Sequence, residues 1–303
     1  MSNYIFCYKA SYIKAKLEKS EKIITKDISF SLCEGEKLAI VGETGSGKTI
    51  TALSIMGLLD SNIYSDISMS LRQEDNTIVE NEKLVNLLGS SIVYIPQNGL
   101  EALSNLLSVR KQLYDSLKRN KCKKRELESR ALDLLKRAGF EDPNSIIDLY
   151  PFELSGGMAQ RVTIALALAG KPRLIIADEP TNGLDGENIE IFLALLDSIP
   201  AAKIIITHDI SLAKKMDKIM VLKDGIMMES GDSESVLTNP RCEYTRALIN
   251  SLCINGMVET PIIRSSRSSC PFYSRCTKIN NLCDSVELIT EQNHSWRCSS
   301  GMC

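Results

Sequence analysis

The sequence predicts an α/β fold: a doubly wound parallel sheet with a helix-rich insertion and a small Cys-rich C-terminal tail. Three observations lead there. Short apolar runs alternate with segments of helical spacing, the pattern of strands alternating with helices. Residues 174–177 are apolar throughout, as a central parallel strand covered on both faces requires. Residues 37–59 read as strand, glycine-rich loop and helix in direct succession.

Taken in order, residues 37–41 (KLAIV) form a short buried strand. Residues 42–49 form the glycine-rich turn, and residues 48–59 carry helical spacing. Residues 61–91 are polar and read as irregular, with a short helix near 82–88. Residues 92–95 form another apolar strand, ended by Pro96. Residues 104–139 read as mostly helical: Leu127, Ala131, Leu134, Leu135 and Ala138 share one face, and Gly139 is placed to cap it. A helix with its body at 158–169 follows Ser155. Strands are expected at 174–177 and 203–207. Residues 218–223 and 226–229 flank Asp224-Gly225 and read as a hairpin. Beyond about Leu252 the composition turns to Ser, Arg and Cys, which places a boundary there.

The composition narrows the function classes. Hydrophobic residues make up 44% of the 303 and charged residues 24%, so a packed core is expected. A net charge of -2 gives no bulk attraction to nucleic acid or to anionic membranes. No apolar run approaches the ~18 residues of a membrane-spanning helix. The most apolar stretch, 162–177, is broken by Lys171, Pro172 and Arg173. The N-terminus does not read as a signal peptide. A cytosolic protein is expected, with any membrane role reached through a partner. Of the 10 cysteines, four cluster between Cys270 and Cys298, and in a reducing compartment that clustering suggests metal before disulfide.

The chemistry is concentrated in three segments. Gly42-Glu43-Thr44-Gly45-Ser46-Gly47-Lys48-Thr49 fits the P-loop pattern in full. Its glycines let backbone N–H groups turn inward into a concave anion site, and the following helix adds its positive end. Lys48 brings a charge to the β- and γ-phosphates, and the Thr49 hydroxyl can coordinate Mg²⁺. The strand at 174–177 ends in Asp178-Glu179, where an open α/β sheet presents its ligand crevice. Asp178 suits Mg²⁺, and Glu179 suits the attacking water. Between the two lies Leu154-Ser155-Gly156-Gly157-Met158, a helix start whose glycines allow close approach to something anionic.

P-loop, acidic strand end and an intervening LSGG resemble the ATP-binding-cassette (ABC) ATPases over residues 25–252. The resemblance implies a P-loop NTPase cassette: a RecA-like parallel sheet core, a β subdomain and a helical subdomain at 98–165. The ATPase domain would occupy residues 1–252 and a Cys-rich extension residues 253–303. ATP and Mg²⁺ are the implied ligands. A head-to-tail dimer would sandwich two ATPs, with Ser155, Gly156 and Gly157 reaching the γ-phosphate on the partner's P-loop. Gln97 matches the glutamine that contacts Mg²⁺ and water and reports to the membrane subunits. Asp185 matches the aspartate at the dimer seam, and His208 the switch histidine on the γ-phosphate. Mg²⁺ would thus be held by Thr49, Gln97 and Asp178, with Glu179, His208, Gln97 and Lys48 as the catalytic set. The family's adenine-stacking aromatic has no match at 17–20. Tyr12 is the nearest aromatic, and the stacking residue stays unassigned.

The branch is suggested by the tail. Asn239-Pro240-Arg241-Cys242-Glu243-Tyr244-Thr245-Arg246-Ala247-Leu248 resembles a segment of the oligopeptide/dipeptide/nickel importer ATPases, with Cys242-Glu243 in place of the usual His-Pro. Cys270-Pro271-Phe272 followed by Arg275-Cys276 resembles the same branch. In some relatives such a tail resembles a [4Fe–4S] ligand set, which implies Cys270, Cys276, Cys283 and Cys298 as ligands, with Zn²⁺ as the alternative. The branch implies an ATPase driving di- or oligopeptide import, or import of nickel or a metal chelate. Its partners would be a second ATPase subunit, two transmembrane permease subunits and, indirectly, an extracytoplasmic binding protein, but no nucleic acid. It would work peripherally at the cytoplasmic face of the membrane. Repair and chromosome ATPases of the wider family need a long coiled coil between P-loop and LSGG, and no heptads lie there. Translation types carry two cassettes in one chain. A regulatory P-loop ATPase remains the rival of another class.

Overall fold

The structure is a computed structural model that describes residues 4–18, 20–251, 270–279, 283 and 287–299. The elements begin with β1 (Tyr4–Lys16), β2 (Glu21–Cys33), β3 (Lys37–Val41), α1 (Lys48–Ile55), β4 (Ile63–Arg72), β5 (Ile78–Glu80) and β6 (Ile92–Ile95). Next come α2 (Gly99–Ala102), α3 (Val109–Arg119), α4 (Leu127–Arg137), α5 (Asn144–Ile147), α6 (Gly156–Leu168), β7 (Leu174–Asp178), α7 (Gly186–Asp197) and β8 (Ala202–Thr207). The chain closes through α8 (Ile210–Ala213), β9 (Lys218–Lys223), β10 (Ile226–Asp232), α9 (Ser233–Thr238), α10 (Glu243–Asn250), β11 (Ile289–Glu291) and β12 (His294–Trp296).

The contacts divide the chain into two units. One comprises residues 1–6, 32–35 and 70–205; the other comprises 7–31, 36–69 and 206–303.

In the first unit, β6 and β7 run parallel in the register Ile92↔Leu174 to Ile95↔Ala177. Every residue of β7 is buried, as its uninterrupted apolar run demands. The helices α2, α3 and α4 pack on α6. The expected stripe on α4 (Leu127, Ala131, Leu134, Leu135) is its buried face, and Ala138 is buried just beyond it. Ser155 caps α6, its Oγ accepting from the Met158 N–H at 3.2 Å. Arg110 joins three segments by pairing with Asp148 at 2.7 Å and with Glu128 and Tyr114.

The second unit is built around β10. It runs antiparallel to β9 and meets β2 in parallel at Ile226↔Lys26. On its other side β9 runs parallel to β3, whose four apolar residues are all buried. The Tyr8 hydroxyl and Ser54 Oγ pair at 2.7 Å, tying β1 to α1.

Three expectations need correction. Residues 61–91 are not irregular: they hold β4, β5 and a 3₁₀ turn at Asn81–Leu87. The inward stripe of β4 (Ile67, Met69, Leu71) is diluted by Ser and Asp, and its turn to β5 passes through Asn76 at a positive φ with no glycine to mark it. The helix after the P-loop stops at Ile55, not near residue 59. The described residues from 270 on are not a separate tail, because β12 pairs with β10 through Glu229↔Trp296 and Ser230↔Ser295. The boundary expected near Leu252 lies outside the described residues. Among the described residues, no helix is long and apolar enough to cross a membrane.

Candidate functional site

The P-loop leaves the buried strand β3 and enters α1 through Gly47. That residue occupies the cap position with a left-handed φ of 97°, and a side chain there would meet Thr25 Cγ2 at 2.6 Å. Only glycine fits both demands. The Lys48 amine donates to the carbonyls of Gly42 at 2.8 Å and Glu43 at 3.1 Å, so the loop curls around its own lysine. Ser46 Oγ is buried with no hydrogen-bond partner. Thr49 is exposed at the helix start. A buried lysine and an unsatisfied buried hydroxyl in a glycine-rich turn at a helix start have the chemistry of a phosphate cradle.

Two supports of this loop were not legible as such. Gly225, expected only as a turn residue, donates its N–H to the Ser46 carbonyl at 3.0 Å. It has a φ of 77°, and an added Cβ would overlap the Ile24 carbonyl. Glu43 is held by Lys223 at 2.9 Å, by Arg275 at 2.7 Å and, through its N–H, by the Tyr244 hydroxyl at 3.3 Å. Burial pushes the Glu43 carboxyl up, but the two cations outweigh it and hold it below its ordinary value. In the same unit His208 is exposed directly after β8, where Asp209 caps the start of α8 by accepting from Ser211 at 2.7 Å.

The other unit gathers the remaining candidates. The parallel register of β6 and β7 sends Gln97 and the Asp178-Glu179 pair out from the same ends of neighbouring strands. Asp178 is buried, whereas Gln97 is exposed. Glu179 takes a left-handed φ of 46°, a conformation uncommon for a residue with a side chain. Gly99, two residues past Gln97, lies against the backbone of Gln160 in α6, which connects that loop to the LSGG helix. Asp185 caps α7 by accepting from the Asn188 N–H at 2.9 Å, and the Asn188 amide lies against Gly157. Ser155 and Gly156 are exposed. Tyr12 belongs instead to the unit of the P-loop, where it meets Tyr64 edge-on at 6.1 Å and the Lys14 amine sits 4.7 Å over its ring.

The four expected cysteines do come together. Cys270, Cys276, Cys283 and Cys298 line one cavity of about 220 Å³, and a fifth, Cys242, joins them there. Cys242 is hydrogen-bonded to Cys298, and that contact together with burial raises its pKa. Yet among the described residues no group of three or more His, Cys, Asp or Glu side chains is arranged to hold a metal ion. The expected [4Fe–4S] or Zn²⁺ set is therefore not supported. His294, beside this cavity in sequence, bonds Glu229 at 2.7 Å.

Comparison with known proteins agrees with this geometry. Residues 25–182 match the ABC transporter family, and residues 228–283 match the oligopeptide/dipeptide transporter C-terminal region. The dipeptide transport ATP-binding protein DppD of Haemophilus influenzae is 36% identical over 86% of this chain and 84% of its own length. DppD of Escherichia coli is 39% identical over 74% of this chain and 71% of its own. The metal-staphylopine import system ATP-binding protein CntD of Staphylococcus aureus is 34% identical over 77% and 88%. Among solved structures, a dimeric post-hydrolysis state of the ATP-binding cassette MJ0796, bound to ADP and Pi, superposes with a TM-score of 0.63. It is 29% identical and covers 75% of this chain and 98% of that one. With the fold, the P-loop and both sequence regions in agreement, the chain belongs to the ABC transporter family, as an ATPase of its oligopeptide/dipeptide branch.

Proposed function

We propose that this ATPase energises an importer of di- or oligopeptides, and that it does so peripherally, at the cytoplasmic face of a membrane. The observation that carries the reading is a P-loop cassette joined to the oligopeptide/dipeptide C-terminal region in one chain. The relatives named for dipeptide transport support the cargo. Likeness to CntD favours a second reading, import of a chelated metal such as nickel.

The residues fit a nucleotide and its metal. Lys48 neutralises the β- and γ-phosphates, exchanging the loop carbonyls it now bonds for phosphate oxygens. Thr49, Gln97 and Asp178 would hold Mg²⁺, which would supply positive charge to the phosphates. Glu179 orients the attacking water and takes its proton, and His208 stabilises the γ-phosphate. The exposed Ser155 and Gly156 and the half-buried Gly157 face a partner's P-loop, with Asp185 at the seam beside them. Catalysis is then positioning and charge stabilisation. The working unit on this reading is a pair of ATPase subunits on two permease subunits, served by an extracytoplasmic binding protein.

Glu179→Gln should abolish steady-state hydrolysis and trap an ATP-bound dimer, read by phosphate release and by sizing with ATP. Unchanged turnover would remove Glu179 from the base role. Uptake of labelled dipeptides should fail in cells lacking this chain and in cells carrying that variant. Failure of nickel uptake alone would move the cargo to the metal reading.

A further inference from the structure

We propose that Arg275 is a positioning residue for the P-loop, bracing Glu43 together with Tyr244 from the C-terminal part of the chain. The proposal rests on the ATPase reading and adds to it residues that the P-loop pattern does not contain.

Glu43 is the second residue of the loop, and its carbonyl accepts from the Lys48 amine. Both carboxylate oxygens are engaged: Arg275 Nη1 donates to Oε1 at 2.7 Å and Lys223 Nζ to Oε2 at 2.9 Å. Its backbone N–H donates to the Tyr244 hydroxyl at 3.3 Å. One loop residue is thus gripped at side chain and backbone by three groups, two of which lie beyond residue 240.

The braces are themselves fixed. Arg275 ends a 3₁₀ turn, Tyr273–Arg275, in which its own N–H donates to the Phe272 carbonyl at 3.0 Å. Its guanidinium sits 5.7 Å from the Phe272 ring, and that ring packs on Tyr244 at 5.4 Å. The segment leading to Tyr244 is pinned by the fully buried Glu229, which accepts from the N–H groups of Arg241 at 2.7 Å and Cys242 at 3.1 Å. A continuous set of contacts therefore runs from Glu229 through Tyr244 and Phe272 to Arg275 and back to the P-loop.

The physical consequence is preorganisation. A cradle of backbone N–H groups binds phosphate best when ordering it costs nothing on binding. Releasing Glu43 lets the carbonyl beneath Lys48 and the following N–H groups wander. Nucleotide affinity then falls, while the chemistry, done by other residues, proceeds once ATP is bound. A brace of this kind moves KM and leaves kcat.

The test uses the full chain, with binding of a fluorescent ATP analogue, steady-state kinetics and thermal melting for each variant. Arg275→Ala should weaken binding and raise KM for ATP about three- to tenfold, the range of a half-exposed charge-assisted bond, with kcat held within about twofold. Arg275→Lys should recover part of the loss. Glu43→Gln should weaken binding similarly, and the Glu43→Gln/Arg275→Ala double variant should be no worse than the worse single one. Wild-type affinity in Arg275→Ala, equal losses in kcat and affinity, or additive losses in the double variant would each overturn the proposal. If Arg275→Ala melts out, Glu43→Gln decides alone, and unchanged binding there overturns it. Absence of ATP binding by the wild-type chain would instead overturn the ATPase reading itself.

Discussion

At the residue scale, two residues of the candidate site, Glu179 and Glu43, depart from ordinary backbone or charge behaviour. Glu179 sits at a φ of 46°, which costs on the order of 1–3 kcal/mol and persists only because its surroundings hold it there. Strain at the residue suited to handling water is consistent with a side chain aimed at a fixed point. Glu43 shows the electrostatic counterpart. Its carboxyl lies below the ordinary value because Lys223 and Arg275 outweigh the effect of its burial. A lowered carboxylate contributes stability that is present at neutral pH and lost as pH falls through its folded-state value. The melting difference between wild type and Glu43→Gln should therefore be largest near pH 7 and shrink as the pH is brought below about 4. A constant difference across that range would show that the Glu43 charge contributes nothing to the fold.

At the element scale, α4 shows how much of a helix its spacing determines. Its apolar stripe is buried as read, with Leu135 fully enclosed, and α3 and α6 pack against the helix. Leu135→Ala should cost about 2–5 kcal/mol through lost burial and a residual cavity. A lowered urea midpoint is the measurement, and wild-type behaviour would mean the site collapses freely. β2 is the opposite case. Thr25 and then Ile28 are buried, because Asp27 at a φ of 52° inserts a residue and resets the alternation. A search for strict period two passes over such a strand.

At the scale of the whole molecule, Glu229 joins segments far apart in sequence. Its carboxylate receives the N–H groups of Arg241 and Cys242 and the His294 ring at 2.7 Å, while β12 pairs alongside on β10. Glu229→Ala would leave all three donors without their acceptor in a buried place and should cost roughly 3–5 kcal/mol. It should also weaken ATP binding, because Tyr244 lies two residues from the released segment. Thermal melting and nucleotide titration of the same variant check both effects, and a loss of stability without loss of affinity would uncouple this hub from the P-loop.

Although the sheet read as parallel is mixed, with β9 and β10 antiparallel, the sequence by itself determined the P-loop, the acidic end of β7, the capped LSGG helix and the α/β class. These are local: each depends on residues a few positions apart, with a spacing that backbone geometry imposes. It also brought four cysteines to attention, and they do share one cavity. Only the tertiary structure decided what surrounds these parts. The fifth thiol, the grip of Arg275 and Tyr244 on Glu43, and the support of Ser46 by Gly225 link residues from about 180 to more than 230 positions apart for Glu43 and Gly225 alone. Spacing along a chain carries no record of such meetings, because they are set by which strands pair and how the chain returns. For the same reason the cysteine spacing could propose a metal set, and only the side-chain arrangement could withhold it.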